Sequence, residues 1–284
     1  MSTTVQLLQK AIADKLVHIV SIQEARQITK MLLMHHLSLS STGLVMEANR
    51  PVDAPTILSI NQQVERLLSH EPIQYILGTA HFYGLDFAVN PSVLIPRPET
   101  EELVDWIVKE NSLAKPAILD IGTGSGCIAI TLKHQMPHAD VVGWDISAEA
   151  LAVATQNAQT IGVRVEFRQN DILSKESAEP NRFDIIASNP PYVRELEKQQ
   201  MNNNVLDHEP HLALFVSDND PLLFYRTIAQ KAKVMLKPGG MLYFEINEYM
   251  AEQMLEMLSG LNYEAVLKQD LQGKDRMIRA RQTP

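Results

Sequence analysis

The sequence predicts an α/β protein in which a small helical domain precedes a mostly parallel β-sheet covered by helices. Two observations favour this fold class. Apolar residues recur at helical spacing through residues 3–70, and short apolar runs alternate with amphipathic runs from Pro116 onwards. Repeated strand–helix units are typical of a parallel sheet with helices on both faces.

The first segment is expected to form a bundle of helices. Its first helix carries apolar residues at helical spacing: Val5, Leu8, Ile12, Leu16 and Ile19. Ser21 followed by Glu24 matches a capping box that starts a second helix, and a third helix is expected over residues 56–70. Residues 38–55 contain a glycine and two prolines and are expected to form loops and short turns. The bundle could be a scaffold or a docking surface for a macromolecular partner, and the sequence leaves both open.

The next stretch connects the bundle to the sheet. Residues 75–89 contain two short β-type runs around Gly84, which predict a hairpin. Arg97 follows between Pro96 and Pro98, and the two prolines restrict its backbone. A polar side chain presented so rigidly favours a functional role, so Arg97 is a candidate substrate-binding residue. A helix is expected over residues 99–111.

Strands and helices then alternate to the end of the chain. The strands are expected over residues 117–121, 141–145, 163–167, 183–188 and 241–246, and near 263–267 and 276–280. Helices are expected over residues 127–135, 147–160, 221–236 and 248–258, with a turn at 237–240. In a parallel sheet the loops that follow the first four strands lie at one edge, where ligands bind.

Composition narrows the class of function. The chain has 284 residues, 45% of them apolar, which suffices for a sizeable core. Its net charge of −9 argues against broad electrostatic binding to nucleic acid, so no DNA partner is expected. The single cysteine, Cys127, excludes an internal disulfide and fits a reducing compartment. We find no metal-ligand spacing, no leader pattern and no apolar run of about 20 residues, so we expect a cytoplasmic protein without a metal or membrane partner.

A glycine-rich loop joins the strand at 117–121 to the helix that follows. It reads Gly122-Thr123-Gly124-Ser125-Gly126. Glycines let a ligand approach the backbone closely, and the N–H groups at the helix start favour an anionic group. Asp145 ends the next predicted strand, 23 residues after Gly122. An acidic residue roughly 20 positions after such a loop is where a ribose hydroxyl pair is held.

The neighbouring strand ends supply further candidates for nucleoside binding. Asp171 could accept a hydrogen bond from an adenine amino group, with Ile146 or Ile172 packing on the ring. These acidic residues could instead only cap helices, but three loops at one sheet edge favour a nucleoside. A dinucleotide fingerprint places its third glycine at the sixth position, which here is Cys127. The loop therefore favours S-adenosyl-L-methionine over NAD, with the amino-acid carboxylate of the donor in the glycine loop.

The site for the group that accepts the methyl is predicted from Asn189-Pro190-Pro191-Tyr192, which follows the apolar strand at 183–188. Two prolines cannot continue a central strand, so the chain leaves the sheet in a stiff, extended conformation. The Asn189 oxygen and the Pro190 carbonyl could accept the two N–H protons of a planar NH2 group and direct its lone pair at the methyl group. Tyr192 would pack on the flat face of the substrate. The alternative is an ordinary turn after a strand, but a nucleoside site upstream favours chemistry.

Longer motifs resemble the PrmC/HemK family, the N5-glutamine methyltransferases of peptide chain release factors. The resemblance covers nearly the whole chain. It rests on the glycine loop, on the tetrad 189–192, and on stretches at residues 78–84, 94–101, 119–126, 145–151 and 270–276. Departures are His81, where many members carry an acidic residue, and Ile172, where some carry tryptophan.

The resemblance implies a Rossmann-like class I methyltransferase sheet whose last strand is antiparallel. It implies a helical substrate-recognition domain over residues 1–72, a hairpin linker over 73–98 and a methyltransferase domain over 99–284. The donor would contact residues 122–126, the pairs Asp145-Ile146 and Asp171-Ile172, and Asn189, leaving S-adenosyl-L-homocysteine as product. The Gly-Gly-Gln glutamine of a release factor, the expected protein partner, would contact residues 189–192.

Two other functions remain open at this point. An adenine-N6 nucleic-acid methyltransferase would use a similar tetrad, but it must also hold phosphates and extrude a base. The acidic chain shows no long basic groove. A donor-binding regulatory protein would keep the glycine loop and Asp145 but would have no need of the tetrad.

Overall fold

A computed structural model describes residues 3–174 and 179–283 of the chain; residues 1 and 284, the expected outer domain bounds, lie outside these ranges. The chain divides into two compact units. The first unit comprises Met1–Gly78 and Asn202–His208, and the second comprises Thr79–Met201 and Glu209–Pro284.

The first unit consists of helices. They are α1 (Val5–Leu16), α2 (Ile22–Leu37), α3 (Ser41–Met46), α4 (Ala54–Leu68), α5 (Ile73–Leu77) and, much later in the chain, α9 (Asn203–Leu206). The Ser21 hydroxyl accepts from the N–H of Glu24 at 3.2 Å, which confirms the predicted start of α2. The predicted apolar residues of α1 are buried among those of α2 and α4 and form the core of this unit.

Two short helices of this unit correct the sequence prediction. Residues 38–55 were expected to be loops, but α3 forms there because the Ser40 hydroxyl caps it and Leu44 is buried. The β-type run expected from residue 75 is wrong at its start, since α5 occupies that position. Gly78 ends α5 with a φ of +72°, a conformation that glycine adopts without steric cost.

The second unit begins with the predicted hairpin, β1 (Thr79–Phe82) and β2 (Leu85–Ala88). Tyr83 and Gly84 both have positive φ, as a tight two-residue hairpin turn requires. Helix α6 (Pro98–Glu110) follows, with proline at its first position.

The remaining elements confirm the predicted alternation. They are β3 (Ala117–Ile121), α7 (Cys127–Gln135), β4 (Asp140–Asp145), α8 (Ala148–Ile161), β5 (Glu166–Gln169), β6 (Phe183–Ser188), β7 (Val193–Arg194), α10 (His211–Leu214), β8 (Phe215–Val216), α11 (Leu223–Met235), β9 (Leu236–Glu245), α12 (Ala251–Gly260), β10 (Tyr263–Gln269) and β11 (Asp275–Gln282). Short 3-10 helices span Glu195–Gln200 and Glu248–Met250.

Within the described ranges, seven strands form one sheet in the order β10-β11-β9-β6-β3-β4-β5. The five strands from β9 to β5 are parallel, and β11 is antiparallel to both of its neighbours, as expected for the last strand. The mostly parallel α/β fold class is thus confirmed. Strand β5 begins three residues later than predicted.

The turn expected at residues 237–240 is an irregularity inside β9. The ladder between β6 and β9 pairs Phe183 with Leu236 and then Ile185 with Met241, so the intervening residues bulge out of register. Gly239, with a φ of +81°, allows this path. The sequence pattern predicted the position of this irregularity, but it did not show that β9 pairs with β6 both before and after it.

Helices cover both faces of the sheet. Alternate strand residues point to opposite faces, so Leu119 packs in the core under α11 and α12, while Ile118 packs in the core under α6 and α7. The sheet is therefore fixed from both sides, and its strand ends keep constant positions. No helix in the described part of the chain is long and apolar enough to cross a membrane.

Candidate functional site

The carboxyl ends of β3 to β6 border one cavity of about 470 Å³ in the second unit. This volume is in the range of small-molecule sites. Its lining includes nearly all of the predicted site residues: Arg97, Gly122, Thr123, Gly124, Ser125, Asp145, Ile146, Asp171, Ile172, Asn189, Pro190 and Pro191. Gly126 and Tyr192 lie outside this lining.

The glycine loop is fixed onto the end of β4. The N–H groups of Gly122 and Thr123 donate to the carbonyl oxygen of Trp144 at 2.8 and 2.9 Å. The N–H of Gly124 donates to Oδ2 of Asp145 at 2.9 Å. Gly122 and Gly124 have φ angles of +75° and +55°, which only glycine adopts readily. The backbone itself thus forms one wall of the cavity.

Asp145 is a half-buried acceptor at the cavity wall. Besides Gly124, the N–H of Ser147 donates to its Oδ1 at 2.9 Å. Burial raises the pKa of Asp145, and these N–H donors oppose the shift. The cap of α8 is Ser147, whose hydroxyl accepts from the N–H of Ala150 at 3.1 Å, so Asp145 is not needed as a cap. Each carboxylate oxygen keeps a second lone pair for a ligand hydroxyl.

Gly126 has a packing role. Its φ is +82°, and a Cβ there would lie 2.7 Å from Cδ1 of Ile130 and 3.1 Å from Cβ of Ala154. The missing side chain lets α7 pack closely against α8. Its assignment as a donor contact stays a prediction, and the close packing is a second reason for glycine at this position.

Asp120 lies beneath the loop and was not among the predicted residues. It is fully buried, and its Oδ2 accepts from the Thr123 hydroxyl at 2.6 Å and from the N–H of Ala129 at 3.2 Å. Burial raises its pKa to about 7, against the effect of these two donors. An acidic residue inside an apolar strand, directly before the glycine loop, was the signal available in the sequence.

The turn after β5 brings the adenine-site candidates to the cavity. The Asp171 carboxylate accepts from the N–H of Leu173 at 2.8 Å. Ile172 is buried in the core of the sheet, whereas Ile146 is 45% exposed. Both isoleucines line the cavity, so apolar surface is available there for a flat ring.

The tetrad leaves the sheet beside the glycine loop. Ser188 pairs with Ile121 in the β3–β6 ladder, and its hydroxyl donates to the carbonyl oxygen of that residue at 2.7 Å. Gly122 and Asn189 are the residues that directly follow the two strands. A Cβ on Gly122 would lie 4.0 Å from the carbonyl oxygen of Asn189. The glycine loop and the tetrad are therefore immediate neighbours.

Side chains from distant segments hold the tetrad. Nδ2 of Asn189 donates to the Thr100 hydroxyl oxygen at 3.2 Å, and that hydroxyl donates to Oε2 of Glu245 at 2.6 Å. The Tyr192 hydroxyl donates to Oε1 of the same carboxylate at 3.1 Å. Nδ2 of Asn247 donates to the Tyr192 carbonyl oxygen at 3.2 Å.

Glu245 is a buried carboxylate at the end of β9. Only 1% of the residue is exposed, and burial raises its pKa, while the Thr100 hydroxyl and the charge of Arg276 act in the opposite direction. Burial and the nearby Glu245 charge raise the pKa of Tyr192, so its hydroxyl stays protonated. Sequence reasoning missed Thr100 and Glu245, although Glu245 ends a strand at the same sheet edge as the other candidates.

Arg97 lines the cavity and forms an ion pair with Glu209. The other oxygen of Glu209 accepts from the N–H of Ile95 at 3.2 Å, and the side chain is 1% exposed. The pair ties the segment around Pro210, which also lines the cavity, to the rigid Pro-Arg-Pro stretch. Substrate binding by Arg97 stays a prediction.

The arrangement can hold two kinds of ligand group at once. One wall offers the glycine-loop backbone and a carboxylate to a nucleoside, and the adjacent wall offers an amide side chain and a carbonyl oxygen to an N–H donor. Among residues 3–174 and 179–283, no cluster of three or more His, Cys, Asp or Glu side chains could hold a metal ion.

Comparison with known proteins identifies the two units. Residues 7–78 match the PrmC N-terminal domain, and residues 114–279 match a methyltransferase domain. A release factor glutamine methyltransferase of Flavobacterium psychrophilum is 50% identical over 85% of this chain and 86% of its own length. One of Bacteroides thetaiotaomicron is 47% identical over 91% of this chain and 93% of its own.

A solved structure supports the fold. A methyltransferase from Pyrococcus furiosus, 18% identical, matches with a TM-score of 0.54 over 79% of this chain and 99% of that one. At this identity the match shows the fold alone. The relatives cover nearly the whole chain at high identity, and the resemblance seen in the motifs is confirmed: the chain belongs to the family of release factor glutamine methyltransferases.

Proposed function

We propose that this protein transfers a methyl group from S-adenosyl-L-methionine to the side-chain nitrogen (N5) of the glutamine in the Gly-Gly-Gln motif of release factors. The observation that carries the proposal is the position of Asn189, which borders the same cavity as the glycine loop and Asp145. The names of the 50% and 47% identical relatives support the choice of substrate.

The donor side of the cavity fits this methyl donor. Asp145 has lone pairs for the two ribose hydroxyls. In the loop at 122–126, the N–H groups of the three glycines and of Thr123 donate within the protein, so the N–H of Ser125, which lines the cavity, would contact the amino-acid carboxylate. Asp171 and the two isoleucines, Ile146 and Ile172, would contact the adenine. When bound, the donor supplies an electrophilic methyl group on its sulfonium sulfur, and S-adenosyl-L-homocysteine is the product.

The acceptor side orients a poor nucleophile. The lone pair of a carboxamide nitrogen is delocalised into the carbonyl group. The Asn189 side-chain oxygen and the Pro190 carbonyl oxygen would accept the two N–H protons, which favours tetrahedral geometry at nitrogen and directs the lone pair at the methyl group. As the N–C bond forms, the nitrogen becomes acidic and loses one proton to water. Positioning of this kind can lower a barrier by up to about 7–11 kcal/mol.

The roles of the other tetrad residues follow from their contacts. Pro190 and Pro191 line the cavity and stiffen the exit from β6. Tyr192 is half-buried, with its hydroxyl bound to Glu245. We propose that its ring supports the flat face of the glutamine amide from outside the cavity lining.

A labelling experiment tests the function. Purified release factor, DNA and RNA are each incubated with the protein and donor carrying a labelled methyl group, and mass spectrometry locates the label. We expect one methyl group on the Gly-Gly-Gln glutamine and none on a release factor with alanine at that position. Label in nucleic acid alone would establish the adenine-N6 alternative and overturn the proposal.

We further propose that the first unit recognises the folded release factor. The domain bounds expected from the sequence at residues 72 and 98 stay predictions. Helix α3 exposes two apolar side chains, Val45 at 76% and Met46 at 81%. Replacing both by glutamate should lower kcat/KM on the folded protein by about tenfold, the effect of about 1.4 kcal/mol. Activity on a short Gly-Gly-Gln peptide should not change, whereas equal loss on both substrates would indicate a scaffold.

We propose the cytoplasm as the location of the protein, consistent with the single cysteine.

A further inference from the structure

The amide of Asn189 is held by a chain of hydrogen bonds that ends in the buried carboxylate of Glu245. We propose that Thr100 and Glu245 are positioning residues that fix the Asn189 amide with its nitrogen turned away from the substrate and its oxygen towards it. The inference rests on the proposed function, because it concerns how Asn189 presents its oxygen to the glutamine N–H. In this proposal both residues act through Asn189; Thr100 lies in the cavity lining, and Glu245 lies behind it.

The direction of the chain follows from proton counting. An ionised carboxylate can only accept hydrogen bonds, and a hydroxyl has one proton to donate. The short contact of 2.6 Å between Thr100 and Glu245 therefore uses the proton of Thr100. The Thr100 oxygen can then only accept, so the group of Asn189 that lies 3.2 Å away must be its NH2. A rotated amide would place two acceptor oxygens together without a proton between them.

Burial raises the pKa of Glu245, and several neighbours oppose this shift and favour the ionised form, on which this direction depends. The Tyr192 hydroxyl donates to its other oxygen at 3.1 Å, and the positive charge of Arg276 lies close by. The nearby charge of Glu99 acts in the opposite direction. Two hydroxyl donors on a carboxylate that is 1% exposed replace much of the hydration it loses on burial.

The carboxylate also links the two ends of the tetrad. One oxygen acts on Asn189 through Thr100, and the other holds Tyr192 directly. Thr100 lies in the first turn of α6 and Glu245 ends β9, so two separate elements of the fold meet at this point. The orientation of the amide is thus set before a substrate arrives.

The test compares isosteric and conservative variants of Thr100 on release factor at pH 8. Thr100→Val keeps the shape and removes the hydroxyl, so the Asn189 amide can rotate. We expect kcat to fall about 10- to 100-fold, the range for one hydrogen bond to a charged group. The Kd of the donor, measured by calorimetry, should change less than twofold. Thr100→Ser, which keeps the hydroxyl, should restore kcat to within about threefold of the parent.

A double-mutant cycle separates positioning from a merely structural role. In an Asn189→Ala background, Thr100→Val should cause no further loss of kcat, because the residue it positions is gone. A full additional loss, or an unchanged kcat in Thr100→Val alone, would overturn the inference. Thermal melting of each variant confirms that it is folded. If the parent protein does not methylate release factor at all, the proposed function fails instead, so the two failures are distinguishable.

Discussion

The two walls of the cavity are built differently. We call them, after the proposed ligands, the donor wall, which is formed by the glycine loop and Asp145, and the acceptor wall, which is formed by residues 189–192. On the donor wall, Asp145 is held by backbone N–H groups of Gly124 and Ser147, which lie 21 and 2 residues away in sequence. On the acceptor wall, Asn189 is held by the Thr100 side chain, 89 residues away, and Thr100 by Glu245, a further 145 residues away. The donor wall is a local backbone structure, whereas the acceptor wall is a network of side chains.

This difference implies that binding and turnover can be damaged separately. Backbone donors remain when neighbouring side chains change, so the donor wall should tolerate substitutions other than those of Asp145 and of the three loop glycines, whose φ angles are positive. A side-chain network loses its geometry when any member is removed. We therefore expect substitutions on the acceptor wall to lower turnover while leaving donor affinity intact.

Of the substitutions on the acceptor wall, Asn189→Ala should lower kcat the most. It removes the oxygen that accepts the substrate N–H, so kcat should fall by about 100- to 1000-fold, as for loss of one transition-state hydrogen bond. Donor Kd from calorimetry should stay near the parent value. The control is Asn219→Ala, at an exposed asparagine outside the cavity. An equal loss of donor affinity would mean that Asn189 serves the donor wall.

Asp145→Asn should show the opposite pattern. It removes the negative charge and one acceptor oxygen, so donor Kd should rise about 10- to 100-fold. At saturating donor, kcat should remain within a few-fold of the parent, as steady-state kinetics would show. Asp140→Asn, at the exposed other end of β4, is the matched control. A fall in kcat without a change in Kd would contradict the separation of the two walls.

Asp120 should make the stability of the donor wall depend on pH. Its pKa is 3.8 in the unfolded chain and about 7 in the folded protein. Between these pH values the folded state holds the proton and the unfolded state has lost it. The contribution of Asp120 to the free energy of unfolding is therefore largest below pH 3.8 and is lost as the pH rises through 7. The difference in unfolding free energy between Asp120→Asn and the parent should therefore increase, in favour of the variant, by a few kcal/mol between pH 5 and pH 8.

Urea unfolding at the two pH values measures this change. Asp140→Asn serves again as control, since that carboxylate is exposed. The pKa assigned to Asp120 would be wrong if both variants showed the same pH dependence as the parent.

Gly126→Ala tests the packing role of Gly126 separately from its predicted contact with the methyl donor. The new Cβ would collide with Ile130 and Ala154. Gly162→Ala is the matched control, because Gly162 has a similar φ of +80° but open space around it. We expect Gly126→Ala to be less stable than the control by about 1–3 kcal/mol in thermal unfolding, the usual effect of overpacking. Equal melting temperatures would show that the contact relaxes freely.

The sequence was informative where function depends on local spacing. The interval between Gly122 and Asp145 and the prolines after β6 each predict a structure from neighbouring residues, and the structure brings both to one cavity. Thr100 and Glu245 could not be paired in this way, because no local pattern relates a helix start to a strand end 145 residues later.

The short helices show a second limit of local reasoning. Residues 75–77 carry a β-type run, yet they lie in α5, since tertiary burial of Tyr75 and Ile76 outweighs a weak local preference. Likewise, the Gly-Gly pair at 239–240 predicts a turn, but β6 pairs with Leu236 before it and with Met241 after it, which keeps it inside one strand.

The pairing of β3 with β6 determines how far apart the glycine loop and the tetrad, the two proposed contact sites of the reactants, are held. Ile121 lies opposite Ser188, so the glycine loop and the tetrad begin at the same level of one ladder. Sliding β6 by one residue would move Asn189 about 3.3 Å and turn its side chain to the other face of the sheet. Under the proposed function, the separation between the glycine loop and the tetrad is therefore established when the protein folds.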